Sequence, residues 1–81
     1  MIKVLFETHH LYYLPNFLPV FDELKNRGKY DIYFSMPQQI NKRERDIFSL
    51  ACKNLGLNII DAEDEELRIK KILNSNFRVI L

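Results

Sequence analysis

The opening stretch MIKVLFETHHLYYLPNFLPVFDELKNRGKYDIYF, residues 1–34, decides the fold. An apolar run at residues 2–6 predicts a buried strand, and a second run at residues 30–34, rich in aromatic and β-branched side chains, predicts another. Residues 8–15 break the pattern and indicate a loop. We expect a helix near residues 16–27, capped by Asn16 and with Pro19 in its first turn, where a missing N–H costs little. Its apolar face repeats at helical spacing: Phe17, Val20, Phe21 and Leu24.

The rest of the chain repeats this alternation. Asn41 and Glu44 have capping-box spacing and predict a helix over residues 41–55. Strands are predicted at residues 57–60 and 77–81, with a third helix between them near residues 64–74. The apolar faces expected for these two helices are Ile47, Leu50, Ala51 and Leu55, and then Leu67, Ile69, Ile72 and Leu73.

The predicted fold class is α/β, a Rossmann-like parallel sheet in the order βαβαβαβ. Right-handed crossovers favour strand order 3-2-1-4, with the first two helices on one face and the third on the other. The last strand would be a bare apolar edge. We therefore interpret residues 1–81 as the N-terminal part of a truncated domain, and we expect self-association through strand 77–81, with fraying of that strand as the alternative.

Composition excludes several classes of function. The chain has 81 residues, is 47% hydrophobic and carries a net charge of +1, so no global field attracts nucleic acid. No apolar run is long enough for a transmembrane segment. The single cysteine, Cys52, excludes an internal disulfide, fits a cytoplasmic protein, and is expected to pack in the core. A membrane-peripheral position of the parent protein stays open.

The loop after the first strand is the candidate site, because parallel sheets bind ligands beyond the carboxyl ends of their strands. We predict His10 as a general base or phosphate-binding group, with His9 as the second choice. Thr8, Tyr12 and Tyr13 are expected to bind substrate. The alternative is structural: the apolar loop residues pack under the first helix and the histidines bind backbone.

Other chemistries are disfavoured. The loop has no glycine, so a dinucleotide fingerprint and a P-loop are absent, and no cofactor is expected. No metal site is expected, because adjacent His9 and His10 would ligate one ion awkwardly. The basic cluster Lys42, Arg43 and Arg45 is either a phosphate site or, by preference, a solvated helix face.

Residues 4–19, VLFETHHLYYLPNFLP, followed by FDELKNRG at residues 21–28, resemble the opening of a GT-B transferase. The likeness is greatest to the CDP-glycerol glycerophosphotransferase-like group and is sharpest over residues 2–36. In GT-B enzymes the N-terminal domain mainly binds the acceptor and the C-terminal domain binds the nucleotide donor. The resemblance implies that His10 matches the base found after the first strand in several GT-B families.

Two functions follow as expectations. The first is an acceptor-side fragment of a glycosyl- or glycerophospho-transferase, inactive alone, whose parent uses a nucleotide-activated sugar or polyol donor and a hydroxyl acceptor. The second is a small non-catalytic interaction module that self-associates through its open sheet edge.

Overall fold

The computed structural model describes all 81 residues, Met1–Leu81, as strands and helices in strict alternation. All strand pairs are parallel, and the sheet order is β3-β2-β1-β4, which confirms the predicted fold class. No helix is both long and apolar enough to cross a membrane. The elements are β1 (Ile2–Glu7), α1 (Tyr13–Arg27), β2 (Tyr30–Ser35), α2 (Lys42–Leu55), β3 (Asn58–Ile60), α3 (Glu65–Asn74) and β4 (Val79–Ile80).

The register of the central pair sets the geometry of the carboxyl edge. β1 and β2 pair without a break from Ile2 opposite Tyr30 to Glu7 opposite Ser35. Both strands therefore end at the same level, and Glu7 and Ser35 are neighbours there. Strand β4 (Val79–Ile80) is shorter than predicted, but backbone hydrogen bonds join the chain to β1 from Arg78 to Leu81.

Helix α1 begins at Tyr13, three residues earlier than the sequence predicts. Asn16 is not its cap: the cap position is Tyr12, which makes no side-chain capping bond. Pro15 fits in the first turn, where its missing N–H leaves no bond unmade, and Pro19 consequently lies inside the helix. The loop after β1 therefore covers residues 8–12 and not residues 8–15.

The other helix ends follow the sequence closely. The Asn41 side chain accepts a hydrogen bond from the Glu44 amide at 2.9 Å, which confirms the predicted cap of α2. Gly28 and Gly56 both have φ of 69°, the left-handed conformation that ends α1 and α2 at little cost.

The main core lies between the sheet and the first two helices. Phe6 and Phe34 stack at 4.9 Å between ring centroids, and α2 adds Phe48 and Cys52 to the same cluster. Of the face predicted for α2, Ala51 packs against this core, but Leu50 is 59% exposed. The helix is rotated so that the aromatic Phe48 fills the core, because one large ring buries more apolar surface than the smaller side chains beside it. Three other residues predicted to lie on the buried faces of α1 and α2 are also exposed: Val20, Ile47 and Leu55.

Helix α3 lies on the opposite face, as predicted, but it packs differently. Its buried residue is Arg68, 2% exposed, whose guanidinium reaches across to β1 and β2. Three residues expected to be buried are exposed instead: Leu67, Ile69 and Leu73. Pairing the arginine with the Glu7 carboxylate and the Ser35 hydroxyl, at the ends of β1 and β2, holds this side of the helix against the sheet.

Candidate functional site

The loop after β1 presents both histidines at the carboxyl edge of the sheet. His9 and His10 are exposed, and neither imidazole makes a hydrogen bond to the protein. The alternative in which the histidines bind backbone is therefore not what the structure contains. Leu11 and Leu14 do pack against the core, so the loop is anchored from below while its histidines face solvent.

Three rings form a surface cluster on this loop. His10 stacks on Tyr12 with 5.1 Å between centroids and 7° between planes. Tyr13 meets His10 edge-on at 5.6 Å and Tyr12 edge-on at 4.9 Å. Tyr12 is 63% exposed, which leaves the cluster open to a ligand. The pKa of Tyr12 is raised, mainly by partial desolvation of its phenol and to a smaller extent by the neighbouring Tyr13. The phenol is therefore neutral at physiological pH.

Not every predicted site residue joins this cluster. His9 is exposed but takes no part in the ring contacts. Thr8 is fully buried, and its Oγ1 is the one buried side-chain atom of the protein without a hydrogen-bond partner. The structure therefore brings together His10, Tyr12 and Tyr13, and it buries the Thr8 hydroxyl in the interior.

A second, charged cluster lies on the α3 side of the same edge. Arg68 Nη1 donates to Glu7 Oε1 at 2.7 Å and to Ser35 Oγ at 2.8 Å. Its Nε and Nη2 donate to the two oxygens of Glu65, at 2.8 and 2.6 Å. Glu65 Oε1 also accepts from the Gln38 amide at 2.7 Å. The cluster ties α3 to the ends of β1 and β2.

Charge pairing outweighs burial in this cluster. Burial disfavours the charge of Arg68, but hydrogen bonds to Glu65 and Glu7 more than offset it, and the pKa of Arg68 is raised. The hydrogen bond from Arg68 is the main cause of the lowered pKa of Glu65. Burial opposes this shift, whereas the hydrogen bond from the Gln38 amide and the charge of Arg68 add to it. Both groups are therefore ionised at neutral pH.

The lowered pKa of Glu65 predicts acid sensitivity of the fold. A carboxylate whose pKa is lower in the folded state stabilises the protein fully above the pKa of the unfolded chain. That stability is lost as the pH falls from the pKa of Glu65 in the unfolded chain to below its pKa in the folded protein. We expect the free energy of unfolding, measured with urea, to be lower at about pH 3 than at about pH 7. Glu65→Gln should flatten this dependence, and an equally steep decline in the variant would contradict the assignment.

A small cleft lies further along the edge, between α2 and the ends of β2 and β3. Its volume is about 10 Å³, room for one water molecule, and its polar lining includes Gln38, Arg45 and Asp61. Arg45 donates to the Ile40 carbonyl at 2.9 Å and to the Gln38 side chain. Lys42 pairs with Asp46 on the solvated helix surface. The basic cluster of α2 thus has intramolecular partners at two of its three positions.

Two other candidate chemistries find no support in the geometry. Cys52 is fully buried, and desolvation raises the pKa of its thiol to about 11, so the thiolate is scarce at neutral pH. No group of three or more His, Cys, Asp or Glu side chains is arranged to hold a metal ion.

Sequence reasoning missed the Arg68 cluster, although signals for it exist. Glu7 and Ser35 end adjacent parallel strands, and Glu65 precedes Arg68 by three residues, one helical turn. The fold and site together define an α/β protein with an aromatic and an acidic surface at the carboxyl edge of its sheet. No protein-family model, curated protein or solved structure matches the chain.

Proposed function

We propose that this chain is the acceptor side of a GT-B-type glycosyl- or glycerophospho-transferase. The observation that carries the proposal is the exposed, unbonded imidazole of His10, flanked by Tyr12 and Tyr13 at the carboxyl edge of the sheet. That edge is where ligands of parallel α/β sheets bind. The resemblance of residues 2–36 to the CDP-glycerol glycerophosphotransferase-like group supports the same function.

His10 is the general base in this proposal. A neutral imidazole nitrogen takes the proton from an acceptor hydroxyl as its oxygen attacks the activated donor, and the nucleotide leaves with the electron pair of the broken bond. The two tyrosine rings present flat faces on which the C–H surface of a sugar or polyol can pack. His9 is the second choice for the base, because it is exposed but lacks neighbouring rings.

The donor is bound elsewhere in this proposal. The loop after β1 contains no glycine, so its backbone offers no close approach to a pyrophosphate. In the family that the chain resembles, the nucleotide is held by a second domain. Residues 1–81 alone are therefore expected to bind an acceptor and to transfer nothing.

A ligand titration of the 81-residue chain tests acceptor binding. Sorbitol, a neutral polyol, serves as the probe, and amide chemical shifts of ¹⁵N-labelled protein are the readout. We expect saturable shifts at residues 8–13, weakened by Tyr12→Ala because a packing face is lost. Leu73→Ala, at an exposed position on α3, is the matched control and should leave the shifts unchanged. The absence of any saturable shift in the wild-type chain would refute the proposal.

One observation favours a second candidate, a self-associating interaction module. Val79, Ile80 and Leu81 are 40%, 56% and 49% exposed at the β4 edge of the sheet. Exposed apolar edge strands pair with other chains.

Sedimentation tests this second candidate. At micromolar concentrations we expect a dimer that Ile80→Lys converts to monomer, because a lysine on an edge strand opposes pairing. A wild-type chain that sediments as a monomer throughout this range would exclude the module.

A further inference from the structure

We infer that Glu7 is a further substrate-binding residue, whose carboxylate accepts a hydrogen bond from a hydroxyl of a neutral polyol or sugar. The inference rests on the proposed transferase function and names the chemical class of its acceptor. Glu7 is the last residue of β1, at the carboxyl edge of the sheet, and its side chain is 18% exposed.

One oxygen of this carboxylate is held and the other is open. Oε1 accepts the hydrogen bond from Arg68 Nη1, and Arg68 is itself held by Ser35 and by both oxygens of Glu65. Oε2 makes no hydrogen bond within the protein. Thr8 Oγ1 is the only buried side-chain nitrogen or oxygen of the protein without a hydrogen-bond partner. Since Glu7 Oε2 also has no partner, it is not buried and therefore reaches solvent. The protein thus presents a rigid acceptor of hydrogen bonds, oriented from behind by a buried arginine.

The charge of the cluster selects against anions. Arg68 carries one positive charge and Glu7 and Glu65 one negative charge each, which gives the trio a net charge of −1. Four of the five guanidinium N–H groups are already bonded to the protein. A phosphate at Glu7 would therefore meet a carboxylate with little free cation nearby. A hydroxyl has the opposite character, because it donates a hydrogen bond and carries no charge.

The inference places one ligand across both clusters. Glu7 and His10 are three residues apart, so their Cα atoms are separated by at most about 11 Å. A polyol or sugar carries hydroxyls on successive carbons and can span such a distance. In this arrangement one hydroxyl binds Glu7, and a different one meets His10 as the reacting group. Glu7 orients the acceptor and takes no proton.

Glu7→Gln is the decisive variant. The glutamine carbonyl oxygen can still accept the bond from Arg68, but its amide group donates where Glu7 Oε2 accepted. Loss of a hydrogen bond to a charged group should weaken sorbitol binding about 10- to 100-fold in the amide-shift titration. Glu66→Gln, on the exposed side of α3, is the matched control and should bind as the wild type does. Urea unfolding of each variant establishes that it is folded.

Three probes separate the outcomes. Sorbitol should shift the Glu7 amide of the wild-type chain, while inorganic phosphate and Mg²⁺ should not. Equal sorbitol binding by folded Glu7→Gln and wild type would overturn the role of Glu7 and leave the proposed function standing. A response of the Glu7 amide to phosphate or Mg²⁺ in place of sorbitol would overturn the ligand class. A wild-type chain that binds no sorbitol removes the acceptor site altogether, and with it both proposals.

Discussion

Arg68→Met should lower the free energy of unfolding by about 3–5 kcal/mol. The substitution keeps an apolar stem but removes the cation, and it leaves Glu7 and Glu65 without their shared partner at a site where Arg68 is 2% exposed. A domain of 81 residues has a total stability of about 4–12 kcal/mol, so the loss is a large fraction of it. Urea unfolding monitored by circular dichroism provides the measurement.

Two further variants test the cause of that loss. The triple change Glu7→Gln, Arg68→Met and Glu65→Gln removes every charge of the cluster and should be more stable than Arg68→Met alone, since no partly buried carboxylate is left unpaired. Lys70→Met removes an exposed ion pair in which Lys70 Nζ lies 3.6 Å from Glu66 Oε1. This change should lower the free energy of unfolding by less than about 0.5 kcal/mol. A change below about 1 kcal/mol for Arg68→Met would show that the cluster is not a major source of stability.

On the proposed function, in which a second domain binds the donor, His10→Ala should lower turnover of the complete transferase by about 10²- to 10⁴-fold. The physical reason is that the proposed base, which would remove the proton from the acceptor hydroxyl, is lost. The imidazole is exposed and makes no hydrogen bond, so stability should change by less than about 0.5 kcal/mol. The rate of transfer from a nucleotide-activated donor measures the effect.

The neighbouring histidine supplies the control for this experiment. His9→Ala removes an exposed imidazole from the same loop, outside the ring cluster, and should reduce turnover far less. Unchanged turnover together with a large fall in melting temperature would assign His10 to packing instead.

The candidate site was only partly predictable from the sequence. The loop with His9 and His10 could be located because strand ends of parallel sheets gather at one edge, and the sequence shows where the first strand stops. The aromatic cluster could not be derived, because ring stacking depends on where α1 begins. The sequence pattern places Pro15 in the loop, whereas Pro15 occupies the first turn of α1, and the helix already begins at Tyr13.

The sequence by itself determined the order of elements, the parallel sheet and the two faces that the helices cover. These follow from local apolar periodicity and from the handedness of crossovers, which act through neighbours along the chain. Only the tertiary structure decided which side of α2 and α3 faces the sheet. Apolar spacing favoured Leu50 and Leu73 for burial, yet Phe48 and Arg68 are the buried residues. On α3 the reason is that Glu7, 61 residues before Arg68 in the chain, supplies a charged partner that no local pattern reveals.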